Sequence, residues 1–255
     1  MPAPNDSMLP PAMPIRPDKA LAAFFRLVRN KEETEHVIDF SVNLNGDCLH
    51  KTFRRWYQSP NGQLLAHDDP KALLRALDDR DRLRSLPVGT VGRTYAEFMD
   101  REGLSTDGVA ESYRDKDIIT DEFPEAYPEY AAFIWYQNLT HDMYHVLTGY
   151  NRDSMGELAL LNYTSRITGA RGIKYLGYMG ALRVKSEALD LPVFKIMNNG
   201  KKMGLQSKDL VTLDFISILD RPLREVRQEL NIVPDPLYAA QPQERLLALI
   251  APQAA

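Results

Sequence analysis

At 255 residues the chain has room for one large domain or two small ones, and its 44% apolar and 26% charged residues are those of an ordinary folded globular protein. A net charge of -4 excludes the basic footprint that nucleic-acid binding needs. Cys48 is the sole cysteine, which excludes an internal disulfide and a cysteine-based zinc site and points to a reducing compartment.

The first fourteen residues, MPAPNDSMLPPAMP, carry five prolines and no continuous apolar core. They do not read as a secretory signal, and with no arginine and with Asp6 they do not read as a transit peptide. Residues 1–16 are expected to form a disordered proline-rich arm. Apolar runs such as Ala131 to Tyr136 fall far short of the roughly 20 residues a membrane-spanning helix needs.

From Pro17 onward the pattern is helical. Pro17 and Asp18 open a segment whose Leu21, Phe24, Phe25 and Val28 keep the i, i+3, i+4, i+7 spacing of an amphipathic helix. A second helix, Glu32 to Leu44, carries Val37, Ile38 and Phe40 and ends at the Asn45-Gly46 turn. Ser59-Pro60-Asn61-Gly62 is expected as another turn. Lys71 to Leu77 is short and amphipathic, Pro87 to Val91 is a loop, and Arg93 to Arg101 is a helix closed by Gly103.

Glu125 to Thr148 is expected as one long helix stopped by Gly149. After a loop from Tyr150 to Asp153, Glu157 begins the next helix, and another runs from Leu176 to Ala188. The stretch Leu210 to Leu219 fits strand or helix equally. Asp220 and Pro222 start a helix with Leu223, Val226 and Leu230 inward, ended by Asn231 and Pro234. No fixed-period repeat and no dividing linker appears, so one helical domain over 17–236 is expected, with a tail over 237–255 that has helical character.

The chemistry concentrates between His141 and Glu157, in HDMYHVLTGYNRDSMGE. His141 and His145 fall one turn apart on one helix face, so both imidazoles can reach one ion. Asp142 lies about 100° around from His141, and Glu157 stands on the next helix. Tyr136, Leu139, Met143, Val146 and Leu147 form an apolar stripe. Asn138, His141, Asp142 and His145 form a polar one that Ile134 continues, and Gln137 and Thr140 face solvent. Buried ionisable groups are costly without partners, and a metal ion satisfies several together.

Each residue also has a plainer reading. A single histidine is more often a hydrogen-bonded core or surface residue, Asp142 can orient an imidazole, and Ser154-x-x-Glu157 has the form of a capping box. The HExxH peptidase motif is departed from, because Asp142 stands where its glutamate base would be. A metal-dependent HD-type phosphohydrolase, with His67-Asp68 or His141-Asp142 as its pair, leaves His145 and Glu157 unexplained.

HDxxH followed by eleven residues and then a glutamate resembles the signature of the ubiquinone (coenzyme Q) biosynthesis protein family called Coq-four. His141, Asp142, His145 and Glu157 keep its spacing. Gly149 and Gly156 stand where the family has glycines. Asn199-Gly200-Lys201-Lys202 is similar to its Asn-Gly-basic-basic turn, and Leu223-Arg224-x-x-Arg227-x-x-Leu230-x-Ile232 to its closing helix. Leu86-Pro87-x-Gly89-Thr90-x-Gly92-x-x-Tyr95 is similar to the segment before its central helices. The resemblance runs from about Asp18 to Pro236.

That resemblance implies an all-α, single-domain multi-helix bundle with an apolar cavity for a polyprenyl tail. It implies a divalent metal, zinc by the usual assignment with iron or manganese also compatible, on His141, Asp142, His145 and Glu157, which are also the expected catalytic residues. It implies removal of the C1 carboxyl group from a polyprenylated 4-hydroxybenzoate precursor, with C1 hydroxylation in the oxidative form. The alternative is a non-catalytic prenyl-lipid-binding scaffold for other quinone-biosynthesis proteins.

A peripheral location at a membrane surface is implied as well, on the cytoplasmic side of a bacterial inner membrane or the mitochondrial matrix face, with a homodimer left open. Tyr175, Tyr178, Met179 and Arg183 are the expected substrate contacts; for the tyrosines and Met179 plain core is the competing reading. The small residues Gly172, Gly177, Gly180 and Ala181 leave room for a tail or, more simply, permit close helix packing. Lys201 and Lys202 suit contact with anionic lipid.

Overall fold

The computed structural model describes residues 6–29, 35–104 and 126–249. The first five residues of the proline-rich arm, the expected helix starts at Glu32 and Glu125, the end of the C-terminal tail and the side chains of Val28, Val37 and Ile38 lie outside the described residues.

All regular elements among the described residues are helical. They are α1 (Pro17–Arg29), α2 (Glu35–Asn45), α3 (Cys48–Tyr57), α4 (Pro60–Gln63), α5 (Ala72–Asp78), α6 (Arg80–Ser85), α7 (Val91–Glu102), α8 (Pro128–Leu139), α9 (His141–Thr148), α10 (Ser154–Thr168), α11 (Arg171–Glu187), α12 (Val193–Gln206), α13 (Phe215–Ile218), α14 (Leu223–Glu229), α15 (Pro236–Ala239) and α16 (Gln243–Ala248). A short 3-10 turn spans Asp6–Met8, and a π turn spans Leu64–Asp68. Thr90 and Pro222 form an isolated antiparallel bridge. No helix among the described residues is long and apolar enough to cross a membrane.

Two compact units emerge. The first is Met1–Met13, Asp47–Leu147 and Asp209–Leu230, and the second is Pro14–Gly46, Thr148–Lys208 and Asn231–Ala255.

Aromatic packing builds the core of the first unit. Phe53 and Trp56 of α3 meet Phe133 and Tyr136 of α8, with ring centroids 5.8 Å apart for Phe53–Phe133 and 5.7 Å for Trp56–Tyr136. Each such pair adds roughly 0.5–1.5 kcal/mol beyond the burial of its area. Tyr136 is fully enclosed, and its hydroxyl donates to the carbonyls of Leu210 (3.1 Å) and Leu213 (3.2 Å). That bond ties the expected strand-or-helix stretch to α8. The stretch itself is irregular chain leading into the short helix α13.

The Gly89-Thr90-x-Gly92 run has a specific structural use. Gly89 takes φ +85°, Thr90 caps α7, and Gly92 donates its N–H to the Leu219 carbonyl at 2.7 Å. A Cβ on Gly92 would lie 2.8 Å from side-chain atoms of Leu83 and Leu86. Val91 N–H donates to Arg221 and Leu223 N–H to Gly89, so the start of α7 and the chain leading into α14 are stitched together. Gly103 (φ +63°) closes α7 as its left-handed cap, as expected from the sequence.

Several expectations are corrected. Ser59-Pro60-Asn61-Gly62 is not a turn but the start of α4: Ser59 Oγ accepts the Gly62 N–H at 3.0 Å, and Pro60 at the first helical position is pre-set for helix. The long helix is broken at Thr140. Its hydroxyl donates to the carbonyls of Tyr136 (2.8 Å) and Gln137 (3.3 Å), a back-bond that bends helices. Thr140 is therefore buried rather than solvent-facing.

In the second unit, α1 packs on α2, α2 on α11, and α10 on both α11 and α12. Its α1 stripe is Ala20, Ala23, Phe24 and Leu27, one residue out of phase with the expected one. Ala20, Ala23, Phe40 and Leu176 are buried together, with Phe24, Leu27 and Met179 against them, while Leu21 and Phe25 are exposed. Asn199-Gly200-Lys201-Lys202 lies inside α12 rather than in a turn. Gly200 presses on the Ala159 backbone of α10, and Gly204 has the Tyr163 carbonyl 2.7 Å from where its Cβ would be. Gly172 is likewise pressed on the Ser41 backbone, and Gly180 on Leu158. Close packing accounts for these glycines.

Candidate metal centre

The apolar stripe of α8 and α9 is buried as expected, from Tyr136 through Leu139, Met143, Val146 and Leu147. It fixes the rotation of α9 and so aims the residues opposite. His145 is 1% exposed, and its ring stacks on Phe98 of α7 at 5.4 Å with 23° between planes. The His141 ring is half-buried and stands 5.0 Å from that of His145 at 88°. The two rings each offer a nitrogen within 4.8 Å of the other's, close enough to share one ion. Two neutral imidazoles one turn apart suit zinc and the neighbouring transition metals.

Asp142 is buried but stands outside the set of side chains able to share an ion. The step of one residue carries it around the helix, where its charge acts on Tyr95 of α7. Burial first, then the Asp142 carboxylate, push the Tyr95 phenol well above its ordinary value, against the pull of Arg80, whose guanidinium lies 5.3 Å over the ring. Tyr95 therefore keeps its proton.

At its C-terminal end α9 is held by Arg227 of α14. Arg227 Nε donates to the Leu147 carbonyl at 2.9 Å and Nη2 to the Val146 carbonyl at 3.0 Å. A cation at carbonyls that lack helical partners is favoured by hydrogen bonding and by the helix dipole together. Gly149, at φ +80°, then ends the helix as expected.

Glu157 lies in the first turn of α10, in the second unit. The cap of that helix is Asp153, not Ser154. Asp153 Oδ1 accepts from the N–H groups of Met155 (3.0 Å) and Gly156 (2.9 Å), so the capping-box reading of Ser154 and Glu157 does not hold. Glu157 is half-buried, and Arg152 Nε approaches its carboxylate at 3.9 Å.

The remaining expected site residues are spread along α11. Tyr175 and Tyr178 are 47% and 39% exposed, and the Lys174 ammonium lies 5.3 Å over the Tyr175 ring. Met179 and Arg183 line a surface groove of about 490 Å³ with Phe24, Phe25 and Leu182. Arg183 is paired with Glu187 at 2.9 Å. The alternative His67-Asp68 pair sits in the π turn, with His67 Nε2 hydrogen-bonded to the Tyr57 hydroxyl at 3.0 Å. Among the described residues no cluster of metal-ligating side chains includes it.

Phe98 and Asp153 are not singled out by the sequence pattern, and Arg227 stands out only as part of the run similar to the family's closing helix. Asp153 was detectable, since aspartate is as good an N-cap as serine and stands one step nearer the loop. Phe98 and Arg227 meet α9 from distant parts of the chain, so no local pattern shows either contact.

The profile of the family described as Coenzyme Q (ubiquinone) biosynthesis protein Coq4 matches residues 19–236. The mitochondrial ubiquinone biosynthesis protein COQ4 of Yarrowia lipolytica is 28% identical over 188 residues, 74% of this chain and 68% of that protein. Its counterpart in Aspergillus clavatus is 33% identical over 178 residues, 68% of this chain and 57% of that one. The Uncinocarpus reesii protein is 33% identical over 189 residues, 70% and 60% of the two chains. This chain thus spans less than two thirds of the length of the latter two relatives. A crystal structure of a ubiquinone biosynthesis protein from Nostoc punctiforme PCC 73102 is similar in fold, with a TM-score of 0.59 at 19% identity over 84% of this chain and 97% of that one. The chain belongs to the coenzyme Q (ubiquinone) biosynthesis protein Coq4 family.

Proposed function

We propose that this chain removes the C1 carboxyl group of a polyprenylated 4-hydroxybenzoate precursor of ubiquinone, at a divalent cation held by His141, His145 and Glu157. The observation that carries the reading is the imidazole pair: two ring nitrogens within 4.8 Å on one turn of α9, one of them locked by Phe98. Glu157 is the third donor that the motif offers, and its helix is capped without it. When bound, the cation supplies Lewis acidity to a carboxylate or phenolate oxygen of the head group.

On this reading Asp142 is not a ligand, and three protein donors remain. Three donors leave a position for substrate, which favours chemistry over a closed structural staple. Phe98 holds the His145 ring plane, and Arg227 holds the helix end. The groove lined by Phe24, Phe25, Met179 and Leu182 suits an apolar prenyl segment, with exposed Tyr175 and Tyr178 further along the same helix. We place the protein peripherally on a membrane that holds such lipids, the mitochondrial inner membrane in a eukaryote, beside other enzymes of the pathway.

The test is carbon dioxide release from a carboxyl-labelled prenylated 4-hydroxybenzoate by purified protein of measured metal content, with and without dioxygen. The dioxygen arms separate plain decarboxylation from exchange of carboxyl for hydroxyl. Glu157→Gln is expected to abolish release while keeping the fold. Full release by that variant removes Glu157 from the reaction. A metal-loaded protein that binds the lipid but never releases carbon dioxide leaves the scaffold in place of the enzyme.

A further inference from the structure

The turn that leads into Glu157 is held from one side by a single phenol. Tyr238, on α15, is 5% exposed. Its hydroxyl donates to Asp153 Oδ2 and accepts the Asn151 N–H at 3.0 Å. The other oxygen of Asp153 already takes the Met155 and Gly156 N–H groups, so the carboxylate is shared between the helix cap and the phenol. Burial, with the Asp153 carboxylate beside it, pushes Tyr238 far above its ordinary value, so it keeps the proton it donates.

The turn closes on itself with no slack. A Cβ on Gly156 would collide with the Asn151 carbonyl and lie 2.9 Å from both the Asn151 nitrogen and the Tyr238 hydroxyl. Glu157 is the next residue, and its N–H makes the first helical bond, to the Asp153 carbonyl at 2.9 Å. Behind Tyr238 the clamp is itself anchored. Asp235 caps α15 through the Leu237 N–H at 2.9 Å and accepts from Asn199 Nδ2 of α12 at 2.9 Å. The Tyr150 ring stacks edge-on against Tyr238 at 5.1 Å. A path of hydrogen bonds thus runs from α12 through α15 to the first turn of α10, all within the second unit.

We infer that Tyr238 is a positioning residue for Glu157: its hydroxyl, through Asp153 and Asn151, sets the direction in which the first turn of α10 presents that carboxylate to the cation. The inference rests on the proposed metal centre. Groups that orient metal ligands through hydrogen bonds commonly change metal affinity 10- to 100-fold when removed.

The test uses Co²⁺ alone as the probe, on the full chain, read by its visible d–d absorption. Wild type is expected to take up one equivalent with a defined spectrum. Tyr238→Phe keeps the ring and its packing. It is expected to bind Co²⁺ about 10- to 100-fold more weakly, with a shifted absorption band and faster amide exchange at Met155, Gly156 and Glu157. Asp153→Asn, which keeps an oxygen for the helix cap, is expected to show the same shift and covers the case in which Tyr238→Phe folds poorly. Unchanged affinity and spectrum in both variants, with wild type binding normally, overturn the inference and leave the metal centre standing. No uptake by wild type overturns both.

Discussion

Arg227 and Leu147 lie 80 residues apart in the chain, yet the guanidinium of one closes the last turn of the helix that carries the other, at 2.9 Å. The helix so closed is the one that presents both imidazoles. Arg227→Met leaves two buried carbonyls, of Val146 and Leu147, without that donor. A hydrogen bond to a charged group contributes roughly 1.5–3 kcal/mol, so a loss of about 2–4 kcal/mol in urea unfolding is expected. Arg227→Lys keeps the charge but not the two-pronged geometry, and should recover less than half of that loss. Equal stability of wild type and Arg227→Met would show that the cap contributes nothing.

The two histidines should separate in the metal-free protein. His145 is enclosed and stacked on Phe98, whereas His141 is half-buried. His145→Ala removes a packed ring and is expected to cost about 1–3 kcal/mol of apo stability, by analogy with other large-to-small changes in a core. His141→Ala is expected to cost well under that. Both should abolish Co²⁺ binding. Asp142→Asn is expected to weaken it less than tenfold, because Asp142 is outside the ligand set. Calorimetric titration of the three variants checks this, and a loss at Asp142 as deep as at the histidines restores a four-ligand site.

Glycines that look alike in the sequence should respond in opposite directions. Gly156 has the Asn151 carbonyl where a side chain would go, whereas the nearest neighbour of a Cβ on Gly177 is 3.6 Å away. Gly156→Ala is expected to lower the melting temperature sharply, since backbone must move. Gly177→Ala, in the middle of α11, should stabilise by roughly 0.5–1 kcal/mol, because alanine loses less entropy in a helix. Thermal melts of the two variants decide it, and a destabilised Gly177→Ala would mean that α11 needs that gap.

Much of the fold and the imidazole pair of the candidate site are legible in the residues, and what is not legible has physical causes. The His141–His145 spacing is a local property of a helix, so it survives into three dimensions. Asp142 is one step further along the helix, which turns its side chain about 100° from His141, and its charge acts on Tyr95. On α1 both 20, 23, 24, 27 and 21, 24, 25, 28 obey the same period. The second set has the larger side chains, which make it the more prominent stripe, while the close approach of α2 favours the alanines of the first. Ser59-Pro60 can open a turn or a helix, and in the fold the helix is accompanied by the Gly62 N–H bond to Ser59 Oγ and by the Asn61 Nδ2 bond to the Leu213 carbonyl. Thr140 interrupts its helix with a hydroxyl bond that no hydrophobic pattern registers. The contacts of Phe98, Arg227 and Tyr238 are long-range, and no local window contains both partners.

Alkaline unfolding should be steep, and the buried tyrosines give its sign. Burial pushes Tyr130 and Tyr136 above their ordinary value of 10.0. Below pH 10 both states keep these protons, so the groups make no pH-dependent difference. Above pH 10 the unfolded chain releases them while the folded chain holds them, so stability falls by about 1.4 kcal/mol per pH unit for each such group. Tyr136 adds to this, since ionisation removes the proton it donates to Leu210 and Leu213. Tyrosinate absorbance at 295 nm is therefore expected to rise in two phases, exposed tyrosines first and the buried ones together with the loss of helical circular dichroism. Tyr136→Phe should move the second phase to higher pH. A single smooth rise near pH 10, with helicity intact, would mean that these phenols are open to solvent and that the aromatic core of the first unit is not packed as described.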